Sequence, residues 1–265
     1  GRDRPRLRFR NREKNIMLSS CPIQLAEDRQ RLKFQTGNAK IHHTVATFSL
    51  PSGTTCPFAR ECKSKAHRIT GKITDGKFTE FRCSSASDEA RSPNARRARN
   101  HNWDLLRPLT TVDEITELIE VSLTGHMITR VHVGGDYFNQ RYFDAWVNIA
   151  SNHPGQMFYG YTKSLPYWVA RLDSMPRNLN LTASMGGECD YLIDEYNLRY
   201  SRVVFHPRQA ERLGLEIDHD DSHAMIYGNE SFALLLHGTQ PSGSDAASAL
   251  KTMRAENIKF SYSRN

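Results

Sequence analysis

The chain has 265 residues, of which 38% are hydrophobic and 25% charged, and its formal net charge is +7. It is long enough for one large domain or two small ones, and without an apolar run of about eighteen residues it is not expected to form a transmembrane helix. Residues 1–100 carry 22 basic and 9 acidic side chains, whereas residues 101–265 carry 14 and 20. This asymmetry predicts a basic face that contacts a polyanion, and nucleic acid, with DNA first, is the leading candidate.

Residues 1–44 are polar and irregular and are predicted to form a basic N-terminal arm. The arginine-rich start lacks the apolar stretch of a secretory signal, and Met17 is a candidate natural start. We therefore expect a cytoplasmic protein that has no contact with a membrane. The five cysteines are an odd number in a long chain, which argues against a disulfide framework and favours metal or redox use.

Residues 45–107 are predicted to form a basic segment that carries three of the cysteines. The run VATFSL (45–50) is typical of a short strand. Residues 54–83 have no clear periodicity, so a bound metal would help to order them. Helices are predicted over 84–91 and 93–107, because Ser92 and Pro93 suit the N-cap and first turn of the second helix.

The second of these helices carries the candidate nucleic-acid-binding residues. Its inner stripe is predicted to consist of Ala95, Ala98, Asn102 and Leu106. That assignment directs the side chains of Arg96, Arg97 and Arg99 away from the core, where they could contact phosphates. A solvated basic face is the alternative interpretation.

From residue 108 onward, strand-like and helix-like runs alternate. Strands are predicted over 128–133, 157–162, 179–184, 202–205, 232–238 and 258–263, and helices over 111–123, 140–150, 165–173, 207–213 and 244–256. Such βαβ units indicate a mainly parallel sheet. About six to eight strands, with no G-x-G-x-x-G after any of them, favour a complete or partial (β/α) barrel over a dinucleotide-binding fold. The predicted fold class is therefore α/β, with a barrel-like parallel sheet in 108–265 that follows a loop-rich, metal-binding segment.

Binding and catalytic residues of such sheets follow the carboxyl ends of the strands. The candidate substrate-binding residues chosen by this rule are Gly134, Gly135, Tyr161, Ser184, Gly186, Gly187, His237 and Gln240. Asp136 and Lys163 follow strands as well and are candidate catalytic residues. Asp136 could be a base, a nucleophile or a hydrogen-bond acceptor for an amine or a base edge, and Lys163 a cation for phosphate or carboxylate. A helix cap is the alternative role for Asp136, and a solvent-exposed side chain is the alternative for Lys163.

The segment IDHDDSHA (217–224) holds three carboxylates and two imidazoles within six residues. It could form an acid/base cluster, a hard-metal site or a hydrogen-bond network, and Asp220 and His223 are its candidate catalytic residues. A polar surface loop is the alternative interpretation.

The three cysteines of the basic segment are Cys56, Cys62 and Cys83, and thiolates are soft ligands for zinc or iron–sulfur clusters. Three cysteines leave a tetrahedral zinc one ligand short, and His67, the candidate chosen here, or else His42, His43 or Cys21 could supply the fourth. Alternatively, they can hold a four-iron cluster whose remaining iron is open to a substrate or cofactor. Buried free thiols are the third possibility. Cys21 and Cys189 have no assigned role.

The chain resembles a phage protein family first described from mycobacteriophages and named there as gene product 88. The resemblance covers roughly residues 40–255 and is carried by ATFSLPSGTTCPFARECKS, FRCSSASDEARSPNARRARNHNWDLLR, VHVGGDYFNQRYFDAWVNIA, FYGYTKS and FALLLHGTQPSGSDAA. It implies a viral context, in the cytoplasm of an infected host cell, and does not imply a particular reaction.

Two enzyme families are similar at a coarser level. Radical S-adenosylmethionine enzymes place a three-cysteine cluster before a partial barrel whose glycine-rich strand end holds the cofactor amine, which is the order of Cys56, Cys62, Cys83 and Gly134-Gly135-Asp136 here. In that family the three cysteines lie within a span of about eight residues, whereas here Cys83 lies far along the chain from Cys62. Phage transglycosylases that insert 7-deazaguanines into DNA are barrels with aspartate nucleophiles, although the zinc-ligand run of the related tRNA enzymes is absent from this chain.

These observations predict a phage metalloenzyme that acts on nucleic acid, most simply by base modification of the 7-deazaguanine exchange type. A target base would then have to leave the stack to reach the end of the sheet. The alternatives are an iron–sulfur enzyme that uses S-adenosylmethionine and a non-enzymatic, metal-stabilised DNA-binding protein. The expected ligands are a metal centre (zinc or iron–sulfur), nucleic acid and a small-molecule base or cofactor.

Overall fold

The computed structural model describes residues 30–38, 40–226, 228 and 230–259. The chain divides into two compact units, Gly1–Arg31 and Leu32–Asn265, and the second contains every described strand and helix. Most of the predicted basic arm, with Met17 and Cys21, and most of the predicted strand over 258–263 lie outside the described residues. Within those residues, no helix is both long and apolar enough to cross a membrane.

Ten strands form in the described part of the chain. They are β1 (Gln35–Thr36), β2 (Val45–Thr47), β3 (Ser64–Ala66), β4 (Ile73–Asp75), β5 (Ile128–Val131), β6 (Met157–Thr162), β7 (Leu179–Ser184), β8 (Tyr200–Val204), β9 (Glu216–Ile217) and β10 (Phe232–Leu235). Eight of them form one sheet in the order β1-β2-β5-β6-β7-β8-β10-β9, and β3 pairs with β4 in a separate hairpin. The α/β class and the mostly parallel sheet are thus confirmed, because β1 is the one antiparallel strand of the large sheet.

The described part of the chain also forms nine α-helices. They are α1 (Ser84–Arg91), α2 (Pro93–Leu106), α3 (Val112–Glu120), α4 (Gln140–Asn152), α5 (Leu165–Val169), α6 (Tyr191–Glu195), α7 (Pro207–Leu213), α8 (Ser222–Met225) and α9 (Asp245–Ala255). A short 3-10 helix follows α5 at Leu172–Ser174. The predicted helix over 165–173 is therefore two shorter pieces.

The helix starts follow the capping chemistry of the sequence. Thr111 and Glu114 form a capping box at α3, in which each side chain accepts a hydrogen bond from the other residue's backbone N–H. The side chain of Ser92 accepts from Ala95 N ahead of Pro93 at α2. Ser244 caps α9 in the same way by accepting from Ala247 N. These signals are local, which is why the sequence predicted these helix starts to within one residue.

The large sheet separates two apolar layers, and β6 shows how. Phe158 packs with Trp146 of α4 and Leu181 of β7 in the largest hydrophobic cluster, which the helices cover. Tyr159 points to the other face and joins a smaller cluster with Phe232 of β10. Because successive side chains of a strand alternate between faces, one face of the sheet carries the helical core and the other remains for a cavity.

The sheet is open, so the complete barrel is wrong for the described residues. β1 and β9 form its two edges and do not pair with each other. Six parallel strands nevertheless lie side by side in the order in which they occur in the chain, namely β2, β5, β6, β7, β8 and β10. A doubly wound dinucleotide fold reverses its strand order at a switch point, and no such reversal occurs among these six strands. The segments 45–107 and 108–265 share one compact unit, because β2 pairs with β5.

The predicted inner face of α2 is confirmed at Asn102 and Leu106 but wrong at Ala95 and Ala98, which are only half-buried. The buried residues of this helix are Arg96, Arg99, Asn102 and Leu106. Arg96 donates from Nε to Arg68 O at 3.2 Å and from Nη2 to Ile69 O at 3.1 Å. Arg99 lies 2.9 Å from Asp88 and 2.9 Å from Glu89. The hydrophobic stripe was misjudged because buried carboxylates and carbonyls make an inward arginine favourable, and only Arg97 of the three is exposed.

Candidate functional site

A cavity of about 500 Å³ lies on the face of the sheet opposite the helical core. All six consecutive parallel strands contribute to its wall. The strand residues that line it include Thr47, Arg130, Tyr161, Ser184, Val203 and Leu234. A volume of this size suits a small molecule, and polar groups that converge in such a cavity are the usual mark of a ligand site.

Cys56, Cys62 and Cys83, here called the thiol cluster, all line this cavity. Cys56 Sγ accepts a weak hydrogen bond of 3.4 Å from Gly53 N. Cys83 occupies the N-cap position of α1, and its side chain makes no capping hydrogen bond. Serine, threonine, asparagine and aspartate are the residues preferred at that position, so a cysteine there is better explained by the cavity than by the helix.

The loop that carries Cys56 and Cys62 is fastened to the end of β7. Glu61 N donates to Gly186 O at 3.0 Å, and Glu188 N donates to Phe58 O at 2.9 Å. A Cβ on Gly186 would lie 2.6 Å from a carboxylate oxygen of Glu61. Gly186 and Gly187 were predicted to bind substrate, but they do not line the cavity and instead hold the cysteine loop in place.

The surroundings disfavour the thiolate forms of Cys56 and Cys62. Removal from water raises the pKa of Cys56, and repulsion from the carboxylate of Asp136 and from the other two thiols raises it further. Burial also raises the pKa of Cys62, against the opposing effect of the nearby Lys163 ammonium. Thiolates become stable in such a place when a metal supplies the positive charge.

Gly134 and Gly135 connect the end of β5 to the same loop. Leu50 N donates to Gly134 O at 2.8 Å. Gly135 has a positive φ of 84°, and a Cβ there would approach Leu50 Cβ and Thr55 Oγ1 to 2.6 Å. Glycine is therefore required for this close backbone approach, and both glycines line the cavity.

Asp136 is buried and lines the cavity. Its Oδ1 accepts hydrogen bonds from Tyr137 N at 2.7 Å and Thr162 Oγ1 at 2.6 Å, and its Oδ2 accepts from Lys163 N at 2.8 Å. Burial raises the pKa of this carboxyl to about 6, although these hydrogen bonds oppose the shift. Asp136 does not cap the next helix, since Asn139 accepts from Tyr142 N at the start of α4.

Lys163 lines the cavity with its ammonium already engaged. Nζ donates to Ser184 O at 2.7 Å, to Ser184 Oγ at 2.9 Å and to Met185 O. An ammonium has three protons to donate, so the three are used within the protein. Lys163 thus fixes the end of β7 and leaves a positive charge near Cys62.

A second polar group in the cavity wall is centred on Asp221 and is here called the ionic cluster. Lys40 Nζ lies 2.7 Å from Asp221 Oδ1, and Arg130 forms an ion pair with Oδ2. Tyr161 donates its hydroxyl to Oδ1 at 3.1 Å, and Tyr159 donates to Oδ2 at 3.3 Å. The two cations hold the pKa of Asp221 below its ordinary value despite its burial.

Within the segment 217–224, the structure selects different residues from those predicted. Asp218 and Asp221 are fully buried, whereas Asp220 is exposed. His223 pairs with Glu216 at 3.0 Å, and neither Asp220 nor His223 lines the cavity. Sequence reasoning missed Lys40 and Arg130 altogether, because their alignment with Asp221 depends on strand register rather than on spacing along the chain.

Of the remaining predicted site residues, some line the cavity and others do not. Tyr161, Ser184 and His237 line the cavity. Gln240 instead joins its side chain to the backbone of Arg82, accepting from N at 2.7 Å and donating to O at 3.1 Å. His67 is exposed, accepts from Thr70 N at 3.2 Å and does not line the cavity. Among residues 30–38, 40–226, 228 and 230–259, no three or more His, Cys, Asp or Glu side chains, the thiol cluster included, form a group that could hold a single metal ion.

One known protein family accounts for most of the chain. A profile of the family described as gene product 88 matches residues 24–256. The chain belongs to the gene product 88 family. Over 72 residues it is 31% identical to the "Gene 88 protein" of Mycobacterium phage L5, an alignment that covers 24% of this chain and 30% of that protein.

Membership of the gene product 88 family confirms the predicted resemblance and the phage character of the protein. The match to the phage L5 protein covers less than two thirds of that relative's length. No solved structure matches the chain. The function of this gene product 88 protein must therefore be argued from its own cavity.

Proposed function

We propose that this protein is an iron–sulfur enzyme in which Cys56, Cys62 and Cys83 hold a four-iron cluster open to S-adenosylmethionine. The observation that carries the proposal is the position of the thiol cluster. The three cysteines come from separate places in the sequence and line one cavity beside Gly134, Gly135 and Asp136. The six consecutive parallel strands support the finer prediction of a partial barrel.

The chemistry of the donor set suits a cluster better than a zinc ion. Iron–sulfur clusters are bound by cysteine thiolates, and in a cubane each thiolate binds a different iron. The cysteines then surround the cluster and need not converge on one point, as they would for a single ion. A zinc site with His67 as the fourth ligand has less support, because His67 lies on the exposed hairpin turn.

A cluster of this kind, with S-adenosylmethionine bound, supplies one-electron radical chemistry. The protein's own residues would position the cofactor. A carboxylate offers about four lone-pair sites, and Asp136 uses three of them within the protein. The remaining site and the negative charge suit a cofactor ammonium, while Gly134 and Gly135 leave room for close approach.

Anaerobic reconstitution with ferrous iron and sulfide tests the proposal directly. We expect a brown protein with about four irons per chain, and loss of that iron in each of Cys56→Ala, Cys62→Ala and Cys83→Ala. Cys189→Ala is the matched control, since Cys189 is also partly buried but does not line the cavity. A colourless protein with one zinc per chain, or equal iron loss in Cys189→Ala, would overturn the proposal.

Titration of the reconstituted protein with S-adenosylmethionine tests the cofactor. Asp136→Asn removes the negative charge and keeps a side chain of nearly equal shape, so we expect unchanged iron content and weaker cofactor binding. Loss of iron together with cofactor would instead show that Asp136 supports the fold of the thiol cluster. Unchanged cofactor affinity would contradict the role given to this carboxylate.

Exchange of a DNA base for a 7-deazaguanine in the infected cell's cytoplasm is the second candidate function. The Asp136 carboxyl in the cavity favours it, as a candidate nucleophile. It has less support because three hydrogen bonds already engage the two oxygens of Asp136. Mass spectrometry of nucleosides from DNA of cells that express the protein tests it: altered bases lost in Asp136→Asn would favour exchange, and unaltered nucleosides would count against it.

A further inference from the structure

The β3–β4 hairpin has one outward face that carries only basic and uncharged side chains. Ser64 pairs with Asp75, Lys65 with Thr74 and Ala66 with Ile73. Because side chains alternate along each strand, Lys63, Lys65 and His67 share a face with Lys72 and Thr74, and Ser64 on the opposite face is buried. Of these outward residues, Lys65, His67, Lys72 and Thr74 are exposed and Lys63 is half-buried.

An exposed aromatic ring lies just beyond β4. Phe78 is 54% exposed. Arg60 Cζ lies 4.7 Å from the centroid of its ring, and Lys77 Nζ lies 5.2 Å from it. Cations around an exposed aromatic ring form a surface on which an unpaired base can stack while its phosphates are neutralised.

The acidic residues of this segment do not cancel the charge. Between residues 60 and 82 there are seven basic and three acidic side chains. Asp75 is already paired with Arg82 at 2.6 Å. Arg68 is paired with Asp104, and Arg82 with Asp75. The two other acidic residues, Glu61 and Glu80, are outnumbered by the five other lysines and arginines of the segment. The hairpin therefore presents a net positive surface.

The base of the hairpin is joined to the loop of the thiol cluster. Glu80 N and Phe81 N donate to Glu61 O at 2.8 and 3.2 Å, and Gly76 N donates to Lys63 O at 2.6 Å. Lys63 directly follows Cys62. The base of the hairpin is therefore anchored next to Cys62, which lines the cavity.

We propose that the outward face of the β3–β4 hairpin, together with Arg60, Lys77 and Phe78, binds single-stranded nucleic acid and presents it beside the thiol cluster. The positive charge selects a polyanion, and the exposed ring selects unpaired bases over a duplex, in which the bases are stacked on one another. The interface thus lies on the hairpin rather than on α2, where Arg96 and Arg99 are buried. Delivery to the cavity rests on the proposed function, whereas binding does not.

Fluorescence anisotropy with a labelled single-stranded DNA of mixed sequence, and with the duplex of the same sequence, tests this proposal on the full chain. We expect tighter binding of the single strand and an affinity that falls steeply with salt. The variant Lys65→Glu/Lys72→Glu/Lys77→Glu should bind at least about tenfold more weakly and show a smaller salt dependence.

The matched control is Arg208→Glu/Arg212→Glu/Lys251→Glu, which makes the same change of net charge with exposed residues of α7 and α9. It should bind within about twofold of the parent, if local contacts rather than net charge dominate. The arginine-rich residues 1–15 are common to all variants, so their contribution cancels. Equal losses in the two variants, or no binding at low salt, would overturn the proposal.

Phe78→Ala tests the stacking contact. We expect about a tenfold loss of affinity for the single strand and little change for the duplex. Equal affinity of Phe78→Ala and the parent for the single strand, or preference for the duplex, would overturn the assignment to unpaired bases. Circular dichroism melting of every variant checks whether the exposed substitutions leave the fold intact.

Iron content separates this proposal from the proposed function. The hairpin charge variant should retain its cluster after reconstitution while it loses nucleic acid. The cysteine-to-alanine variants should lose iron and still bind the single strand. Loss of nucleic-acid binding in the cysteine variants alone would overturn the placement of the binding surface on the hairpin.

Discussion

The thiol cluster and the ionic cluster line the same cavity, but they differ in how completely the protein satisfies them. Asp221 is surrounded by two cations and two hydroxyl groups. The thiols of Cys56 and Cys62 have raised pKa values, chiefly because they are buried, and repulsion from Asp136 and from the neighbouring thiols adds to the shift. A polar group that is satisfied internally supports the fold, whereas perturbed pKa values in a cavity are typical of functional sites. Under the proposed function, the ionic cluster stabilises the fold and the thiol cluster binds the cofactor.

The largest expected effect is on the ionic cluster. Asp221→Ala removes the carboxylate that compensates Lys40 and Arg130, so we expect the free energy of unfolding to fall by about 3–5 kcal/mol. Urea denaturation followed by circular dichroism measures it. The control is Asp220→Ala, whose exposed carboxylate accepts from Ser222 N and which should cost less than about 1 kcal/mol. Similar losses in the two variants would remove the contrast between the clusters.

The second effect is a dependence of stability on pH. His132 is buried with Nε2 2.9 Å from the Tyr142 hydroxyl oxygen, and burial, with a smaller effect of Arg130, lowers the pKa of His132 to about 3. In the unfolded chain this imidazole takes up a proton below about pH 6.5, whereas the folded protein keeps it neutral. Stability is therefore lost as the pH falls from about 6.5 toward 3, by up to about 1.4 kcal/mol per pH unit.

His132→Asn removes this titration, and asparagine tolerates the positive φ of 66° at that position. Urea denaturation of the parent and the variant at about pH 7, 6 and 5 should give a shallower acid dependence for the variant. The slope is the readout, because the loss of packing lowers the stability of the variant at every pH. Parallel profiles would contradict the buried neutral state of His132.

The sequence predicts residues whose role depends on local chemistry better than residues whose partner is distant in the chain. Cys56, Cys62, Gly135 and Asp136 were identified because their chemistry and the strand-end rule need no knowledge of register. Arg130 was missed because its partner Asp221 is 91 residues away in the chain. The inward turn of Arg99 was missed for a related reason: its partner Glu89 was not recognised as a buried carboxylate, so a charged residue was placed outside by default.

The third effect concerns the fit of the cysteine loop on β5. Gly135→Ala forces a Cβ to within 2.6 Å of Leu50 Cβ and Thr55 Oγ1 at a positive φ, so we expect a loss of about 1–3 kcal/mol. Gly155→Ala is the control, because nothing lies within 4 Å of a Cβ there. Thermal melting monitors both variants. A Gly135→Ala protein as stable as Gly155→Ala would show that the loop adjusts freely and is not held against the strand.

The smallest effect on stability is expected in the thiol cluster itself. Cys83 is the N-cap of α1 and makes no capping hydrogen bond. Serine is preferred at such positions, so Cys83→Ser should leave the stability of the metal-free protein unchanged or raise it by up to about 1 kcal/mol. The same substitution should abolish iron binding, since a hydroxyl is a poor substitute for a soft thiolate ligand.

Cys189→Ser is the control for Cys83→Ser, because it changes a cysteine outside the cavity and should keep the iron. Denaturation of the metal-free proteins and iron analysis of the reconstituted ones check both statements. A Cys83→Ser protein that loses more than about 2 kcal/mol without metal would make this thiol a packing residue of α1. A stable Cys83→Ser protein that binds no iron would instead mean that α1 has a cysteine in place of a better N-cap residue because the thiol is needed as a ligand in the cavity. That result would support the contrast with the ionic cluster, whose residues stabilise the fold.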